Sequence, residues 1–331
     1  MTKIPLSVLE LATVVKGGNH SSAIESTVAV ARHVEALGYT RIWMAEHHNM
    51  EYIASSATSV LIGHVAGKTN SIRVGSGGIM LPNHSPLVIA EQFGTLASIY
   101  PGRIDLGLGR APGTDQLTAR ALRRNNLDAS LHFPNDVKQL QTYFSKSNST
   151  AMVRAFPGEG LDIPIWILGS STDSAYLAAQ MGLPYTFAAH FAPTQFRQAI
   201  AIYREHFRPS AYLDKPYVMA CVNVLGADTD EEASALLSSL IAMFVGVITN
   251  VRSPLQAPGQ LPAEYNIPEV RSTINSMLAC TFTGNSASLR TKLSDFIDDT
   301  QIDELMVATY IYDNEAKLKS FSILREALEN A

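Results

Sequence analysis

Residues Arg103–Gly113 have the sequence RIDLGLGRAPG, a short apolar run followed by a basic residue. Apolar side chains at every second position predict a short buried strand, which ends in glycines and is followed at once by Arg110. The carboxyl ends of parallel strands form the ligand crevice of α/β proteins. A guanidinium there suits a phosphate or a carboxylate. Two interpretations remain open for Arg110, namely anion binding and an ion pair with an acid such as Asp115.

Other short apolar runs resemble this strand and indicate a parallel sheet that is buried on both faces. With it, the predicted strands are Pro5–Leu11, Thr40–Ala45, Ile72–Met80, Ile104–Gly109, Pro164–Gly169, Pro184–Ala189, Tyr217–Leu225 and Glu304–Tyr310.

Helical patterns lie between these strands. The predicted helices include Ser26–Leu37, Ala54–Lys68, Pro86–Ile99 and Ser174–Met181, and the first and last are each followed by a glycine, a common helix end. Eight β-α alternations predict an α/β protein of the (β/α)8 TIM-barrel class, as a single domain over residues 1–331.

Two connections are longer than plain crossovers, and these long insertions follow predicted strands 4 and 7. The first runs from Gly109 to Pro164 and the second from Gly226 to Glu304. Loops this long usually carry function or disorder. We expect the second, at about residues 227–303, to form a lid over the barrel mouth, and a surface excursion without a role is the alternative.

Composition excludes several classes of function. The formal net charge is −5, which argues against nucleic acid or an anionic membrane as a partner. The two cysteines form no CxxC motif, which is typical of a reduced intracellular protein. The chain shows no signal-peptide core and no apolar run of the ~18 residues that span a bilayer. We therefore expect a cytoplasmic protein.

The second predicted strand runs into Glu46, His47 and His48, at the rim where barrel enzymes place catalytic groups. A histidine there can act as a general base near neutral pH. The alternative is a histidine held structurally by Glu46. A metal site is disfavoured, because adjacent histidines on an extended chain point apart and no third ligand has suitable spacing.

Glycines interrupt the third predicted strand at Gly77 and Gly78. Such glycines mark either a ligand that approaches the backbone, such as a flat ring system, or tight packing at a barrel corner. His84 follows in a segment that resembles a helix cap and first turn.

The fifth predicted strand leads through Leu168 and Gly169 directly into a helix. Backbone N–H groups at the helix start, together with the hydroxyls of Ser170, Ser171 and Ser174, would make an anion cradle. Ordinary N-capping is the alternative. Because Arg110 lies one strand earlier, a shared phosphate site is the better interpretation.

Two further rim candidates are Glu10, at the end of the first strand, and His190, after the sixth. Glu10 is expected either to face the pocket or to pair with a rim arginine. His190 is expected either to face the ligand or to be a satisfied core histidine.

Taken together, Trp43–Asn49, Val74–Pro82, Arg103–Gly113 and Ile165–Ser174 resemble the bacterial luciferase-like flavin monooxygenases, in particular their single-component, uncharacterised bacterial branch. The resemblance covers nearly the whole chain and implies a TIM barrel that works with reduced FMN.

The resemblance also implies roles for residues. Arg110 would contact the FMN phosphate, and Leu168, Gly169, Ser170, Ser171 and Ser174 would complete the cradle. Gly77-Gly78 would carry a non-prolyl cis peptide beside the flavin ring. His47 would be the catalytic base that assists proton transfers around a C4a-peroxyflavin, and Glu10, His48, His84 and His190 are expected to line the substrate pocket.

A separate flavin reductase would supply the FMNH2, and O2 would oxygenate a small organic substrate. Alternatives are the deazaflavin F420 as cofactor and a flavin carrier without turnover. Light emission is not expected, because the reactive cysteine of luciferases is Gly109 here and their phosphate-segment glutamate is Ser170. Relatives dimerise through helices that match Ala54–Lys68 and Pro86–Ile99, so a homodimer is expected.

Overall fold

The computed structural model describes residues 4–111, 113–122 and 129–329. The strands in this part of the chain are β1 Leu6–Glu10, β2 Arg41–Met44, β3 Arg73–Met80, β4 Ile104–Gly109, β5 Ile165–Gly169, β6 Tyr185–Ala188, β7 Val218–Gly226, β8 Thr281–Gly284 and β9 Glu304–Ala308.

Eight of these strands form a closed parallel barrel. Their order is β6-β5-β4-β3-β2-β1-β9-β7, and a pairing between β6 and β7 closes the ring. The predicted (β/α)8 fold is therefore confirmed. Strand β8 was not predicted, and among the described residues it pairs, in parallel, only with Asn223–Gly226, the carboxyl half of β7.

Helices cover the outside of the barrel and fill both long insertions. They are α1 His20–Ala36, α2 Thr58–Ala66, α3 Pro86–Ile99, α4 Gln116–Leu122, α5 Ala129–Phe144, α6 Thr172–Met181, α7 Phe196–His206, α8 Asp230–Thr249, α9 Pro268–Met277, α10 Ser286–Thr300 and α11 Asn314–Glu329. Helix α1 begins before its predicted start, because Asn19 and Ser22 form a capping box there.

The sequence analysis expects no apolar segment long enough to span a bilayer, and helix α8 differs from that expectation. By length and composition it could cross a membrane, and 39% of its most apolar window is buried inside the molecule. Its buried side chains Leu240, Ile241 and Phe244 pack in the same hydrophobic cluster as Met219 and Cys221 of the barrel interior. Part of the apolar face of α8 thus packs against side chains of the barrel interior.

The amino end of the barrel is closed by a buried charge network. Arg41 donates hydrogen bonds to Asp105 at 2.7 Å and to Glu304 at 2.8 Å, and its guanidinium lies 4.7 Å from the ring centre of Trp166. Such pairs tolerate burial because each charge has a hydrogen-bonded partner. The site must therefore lie at the opposite end, where the strands end and the insertions begin.

Candidate active site

His47 follows β2 at the carboxyl end of the barrel, and its tautomer is defined by a single contact. Its Nδ1 lies 3.3 Å from the carbonyl oxygen of Gly113. Because a carbonyl only accepts, Nδ1 carries the proton and Nε2 is left as the basic atom. Burial lowers the pKa of His47 below its ordinary value, and the charge of Arg252 lowers it further. His47 is therefore a neutral base at pH 7.

Glu46 holds His48 and His84 rather than His47. Its Oε1 accepts hydrogen bonds from Nε2 of both rings at 2.8 Å, and its Oε2 accepts one from the Met80 backbone N–H at 3.1 Å. Burial raises the pKa of Glu46, but the hydrogen bonds from His48 and His84 outweigh burial and hold the pKa at about 2. This carboxylate ties the end of β2 to the end of β3.

Glu46, His48 and His84 bring three possible metal-ligand atoms together, although the sequence spacing indicated no third ligand. One ligand atom from each of Glu46, His48 and His84 lies within 4.8 Å of the others. The two carboxylate–imidazole distances of 2.8 Å are hydrogen-bond lengths, whereas ligand atoms that share a zinc ion stand roughly 3.4 Å apart in a tetrahedron. The geometry fits a hydrogen-bond network better than a metal centre.

The peptide bond between Gly77 and Gly78 in β3 is cis, as the resemblance implies. Close packing explains why both residues are glycines. A Cβ on Gly77 would lie 2.7 Å from Leu9 Cδ1, and one on Gly78 would lie 2.8 Å from the Gly107 carbonyl oxygen and 3.1 Å from Leu168 Cδ1. The interpretation of tight packing at a barrel corner is thus supported by the neighbouring atoms.

Arg110 pairs with an acid other than the expected one. Its Nη2 lies 3.1 Å from Oδ2 of Asp173, and both side chains are largely exposed. Asp115 instead accepts hydrogen bonds from the backbone N–H groups of Leu117 and Thr118 at the start of α4. The guanidinium of Arg110 therefore lies at the rim, beside the start of α6.

The start of α6 lacks a cap from its own N-cap residue. Ser171 is the N-cap residue, yet its side chain makes no capping bond within the described residues. The Thr172 N–H donates to Oε1 of Gln195 at 3.2 Å. Ser174 faces inward instead, since its Oγ donates to the Ser171 carbonyl oxygen at 2.7 Å and lies 3.0 Å from the Tyr185 hydroxyl.

Gly169 permits this arrangement, because a Cβ there would lie 2.4 Å from the Cβ of Ser174. The uncapped helix start, the hydroxyls of Ser170 and Ser171 and the guanidinium of Arg110 fit a phosphate group. An incoming phosphate would have to replace Asp173 as the partner of Arg110.

His190 lies just after β6 and is buried, with its Nδ1 unpartnered among the described residues. Burial lowers its pKa to about 3, and the neighbouring His47 contributes in the same direction. The Oδ1 of Asn223, on the adjacent strand β7, is likewise buried without a partner in the described part of the chain. Sequence reasoning missed Asn223, although a polar residue in the apolar run of β7 was the available signal.

Glu10 faces away from the other candidates. Its carboxylate forms a buried ion pair with Lys317 of α11 at 2.7 Å and accepts the Ala12 backbone N–H at 3.1 Å. The pair lines a cavity of about 380 Å³ between the end of β1 and the helices α1 and α11. Glu10 therefore pairs with a lysine of α11, and the expected pairing with a rim arginine is wrong.

Comparisons with known proteins agree with this geometry. The luciferase-like monooxygenase family matches residues 7–279. A luciferase-like monooxygenase of Escherichia coli (strain K12) is 46% identical over 98% of this chain and 97% of its own length. The N-acetyl-S-alkylcysteine monooxygenase of Bacillus subtilis (strain 168) is 31% identical over 98% of each chain. The crystal structure of apo-MsnO8 has a TM-score of 0.89 and 32% identity, with 99% of both chains covered.

Proposed function

The chain belongs to the luciferase-like monooxygenase family, and on that premise we propose that it is an FMN-dependent monooxygenase. It oxygenates a small organic substrate and receives reduced FMN from a separate reductase. One atom of O2 enters the substrate, the other leaves as water, and reduced FMN supplies the two electrons.

The observation that carries this proposal is the neutral His47 at the barrel mouth, with Nε2 as its basic atom. A neutral imidazole with an unprotonated ring nitrogen can accept a proton during a reaction and return it. The Gly113 carbonyl keeps the ring in one tautomer, so that Nε2 does not exchange roles with Nδ1. His47 therefore holds or moves protons beside the cofactor.

The phosphate of FMN would be held by Arg110, by the hydroxyls of Ser170 and Ser171 and by the start of α6. Its ring would lie toward Gly77, Gly78 and Leu168 at the ends of β3 and β5, with Gly169 allowing the close approach of Ser174 to the strand. Helix α8 and the segment that follows it would exclude water from the mouth, which protects reactive species from side reactions.

We propose a small N-acylated thioether as the substrate class. Support comes from the relative whose name is N-acetyl-S-alkylcysteine monooxygenase, which aligns over nearly the full length of both chains. In this reaction the sulfur accepts one oxygen atom and becomes a sulfoxide, with the water and electron balance given above. We further propose that the protein is cytoplasmic and acts as a homodimer.

The test is anaerobic titration of the protein with reduced FMN, followed by mixing with O2 and with thioether probes. We expect saturable binding, reoxidation that is slower than that of free reduced FMN, and sulfoxide that carries 18O from labelled O2. Binding without product from any probe would favour a flavin carrier. Binding of reduced F420 in place of FMN would favour the deazaflavin alternative, and either result would overturn the proposal.

A further inference from the structure

A cavity lies between the carboxyl ends of β1 and β9 and the helices α1 and α11. Its volume of about 380 Å³ falls in the range of roughly 300–1,000 Å³ that is typical of small-molecule sites. Ser22 and Glu25 of α1 and Asn314 of α11 line this cavity and are exposed. The cavity therefore opens to solvent between the two helices, and a small molecule can enter it.

Two of the residues that line the cavity form an ion pair to which the proposed function gives no role. Nζ of Lys317 donates to Oε2 of Glu10 at 2.7 Å, and the two side chains are 11% and 5% exposed. An ammonium has three N–H donors, and Glu10 is the one hydrogen-bond partner of Lys317 among the described residues. Each oxygen of the Glu10 carboxylate can accept a second bond. The pair thus keeps both donors and acceptors for a ligand.

The short distance between the two charges determines which ligands fit. A carboxylate that binds to Lys317 also lies close to the Glu10 carboxylate, which repels it. An ammonium that binds to Glu10 is repelled by Lys317 for the same reason. A ligand that carries both charges on neighbouring groups avoids these repulsions, because each of its charges then faces the opposite charge of the pair. Glu25 adds a second carboxylate at the opening, which further disfavours a ligand with a negative charge alone.

The cavity also offers apolar surface on the side of the barrel. Leu9, Leu255 and Ile311 line it, and all three pack in the inner hydrophobic cluster. An apolar group of the ligand that covers these side chains is favoured, because it removes their surface from water. The ligand that suits the cavity therefore combines two neighbouring opposite charges with an apolar side chain.

We propose that this cavity binds an apolar α-amino acid in its zwitterionic form. The carboxylate of the ligand accepts hydrogen bonds from the ammonium of Lys317, and the ammonium of the ligand donates to the carboxylate of Glu10. In an α-amino acid both charged groups are attached to one carbon atom, so they lie close together like the charges of the protein pair. Leu9 lines the cavity and also packs against Gly77. The ligand is thus beside the place proposed for the flavin ring, and its binding does not depend on the proposed function.

The experiment compares three ligands that share one side chain and differ in charge. They are L-leucine, the anion N-acetyl-L-leucine and the cation L-leucine methyl ester. Calorimetry at pH ~6 measures their Kd for the full chain, because the α-amino group of the ester, which titrates near ~7.7, is then charged. We expect L-leucine to bind roughly ten- to a hundredfold more tightly than either derivative, the range for one lost hydrogen bond to a charged group. No binding of L-leucine, or equal binding of a derivative, would overturn the proposal.

A double variant assigns the preference to the ion pair. Glu10→Gln combined with Lys317→Met removes both charges and leaves no unpaired charge buried. In this variant we expect L-leucine to bind no more tightly than its derivatives. The matched control combines Asp228→Asn with Lys319→Met, which removes an exposed ion pair of α11 that does not line the cavity, and it should keep the wild-type preference. A preference that survives in the Glu10 and Lys317 variant would contradict the proposal.

A second variant provides the test if the double variant does not fold. Ala29 lies on the side of the cavity formed by α1 and is half-buried, so Ala29→Phe should narrow the cavity and abolish binding of L-leucine without touching the ion pair. Unchanged binding in folded Ala29→Phe would place the ligand elsewhere and overturn the proposal.

Competition with the flavin is measured on the wild type. Saturating FMN should leave binding of L-leucine measurable, and its displacement by FMN would mean that L-leucine occupies the flavin site and that the proposal is wrong. The leucine affinities require neither flavin nor turnover, so a failure of reduced FMN to bind would contradict the proposed function alone.

Discussion

Arg110 and Asp173 lie 3.1 Å apart at the rim, one at the end of β4 and the other in the first turn of α6. The guanidinium of Arg110 cannot bond fully to Asp173 and to a phosphate at the same time. An anion that binds to the start of α6 therefore competes with the Asp173 carboxylate. The two side chains therefore have opposite expected effects on the affinity for reduced FMN.

For Arg110→Ala, we expect the loss of one charge-assisted contact to weaken reduced FMN binding by ~1.5–3 kcal/mol. For Asp173→Asn, removal of the competing charge should strengthen binding by up to ~1 kcal/mol, since both groups are exposed and screened. Anaerobic fluorescence titration measures both, and Arg120→Ala, on the exposed surface of α4, is the control. Unchanged affinity in Arg110→Ala would remove Arg110 from the phosphate site.

His47→Ala tests the proposed proton-transfer role. We expect reduced FMN to bind almost normally while product formation slows by ~10²–10⁴-fold, the range for loss of a general acid–base group. Burial lowers the pKa of His47 below its ordinary value. Wild-type activity should therefore fall only when the pH drops below that ordinary value, because Nε2 then becomes protonated. Stopped-flow product analysis across pH measures this, and His132→Ala, at an exposed position of α5, is the control. Loss of flavin binding in His47→Ala would contradict a purely catalytic role.

The barrel was predictable because its strands are buried on both faces and thus appear as apolar runs. Strand β8 was not, since Thr281–Gly284 is short and half-buried and pairs only with the carboxyl half of β7. Helix α8 was not predicted, because its apolar residues lie partly against the barrel interior and partly at the surface. The lid was expected from the length of the connection instead.

At the site, the sequence places His47, Arg110 and Ser171 at the rim, because each follows a predicted strand. It does not predict which way a residue at a strand end faces. Glu10 illustrates this, since it lies one residue beyond the inward Leu9 and pairs with Lys317 instead. The sequence shows only that Asn223 interrupts the apolar run of β7, because its unpartnered Oδ1 depends on long-range packing.

Glu46→Gln is expected to destabilise the fold. The carboxylate satisfies His48, His84 and the Met80 N–H, and an amide cannot accept all three bonds, so the unfolding free energy should fall by ~1–3 kcal/mol. Since the pKa of Glu46 in the folded protein is about 2, its stabilisation is present above its ordinary pKa and lost as the pH falls toward 2. Urea denaturation measures both effects.

The control for this substitution is Glu25→Gln, at an exposed position of α1, which should change stability by no more than ~0.5 kcal/mol. If Glu46→Gln proves as stable as the control at pH 7, the carboxylate does not hold the ends of β2 and β3 together.

The proposed dimer has a surface that can be tested. Val60 of α2 is 71% exposed and Ile99 of α3 is 59% exposed, on the two helices from which a homodimer is expected. A charge in an apolar interface is unfavourable. Val60→Glu and Ile99→Glu should therefore convert a dimer into a monomer in sedimentation velocity, whereas Met152→Glu, at another exposed apolar position, should not. A monomeric wild type at micromolar concentration would contradict the dimer.

His190 should make the stability of the protein depend on pH. The folded protein keeps this imidazole neutral down to a pKa of about 3, whereas the unfolded chain takes up a proton near its ordinary value of ~6.5. The unfolded state therefore binds more protons between these values, and stability present above pH ~6.5 is lost as the pH falls. Between these two pKa values, each unit by which the pH falls should lower the unfolding free energy by ~1.4 kcal/mol through His190 alone.

His190→Gln removes this titration, so its unfolding free energy should fall less steeply than that of the wild type between pH ~6 and ~4.5. The difference between the two slopes, measured by urea denaturation, isolates His190 from every other group that titrates there. His132→Gln is the matched control, because it makes the same substitution at an exposed position of α5, outside the helices of the proposed dimer. Parallel slopes for wild type and His190→Gln would mean that His190 is solvated or paired in the folded protein, which would contradict a buried imidazole with an unpartnered Nδ1.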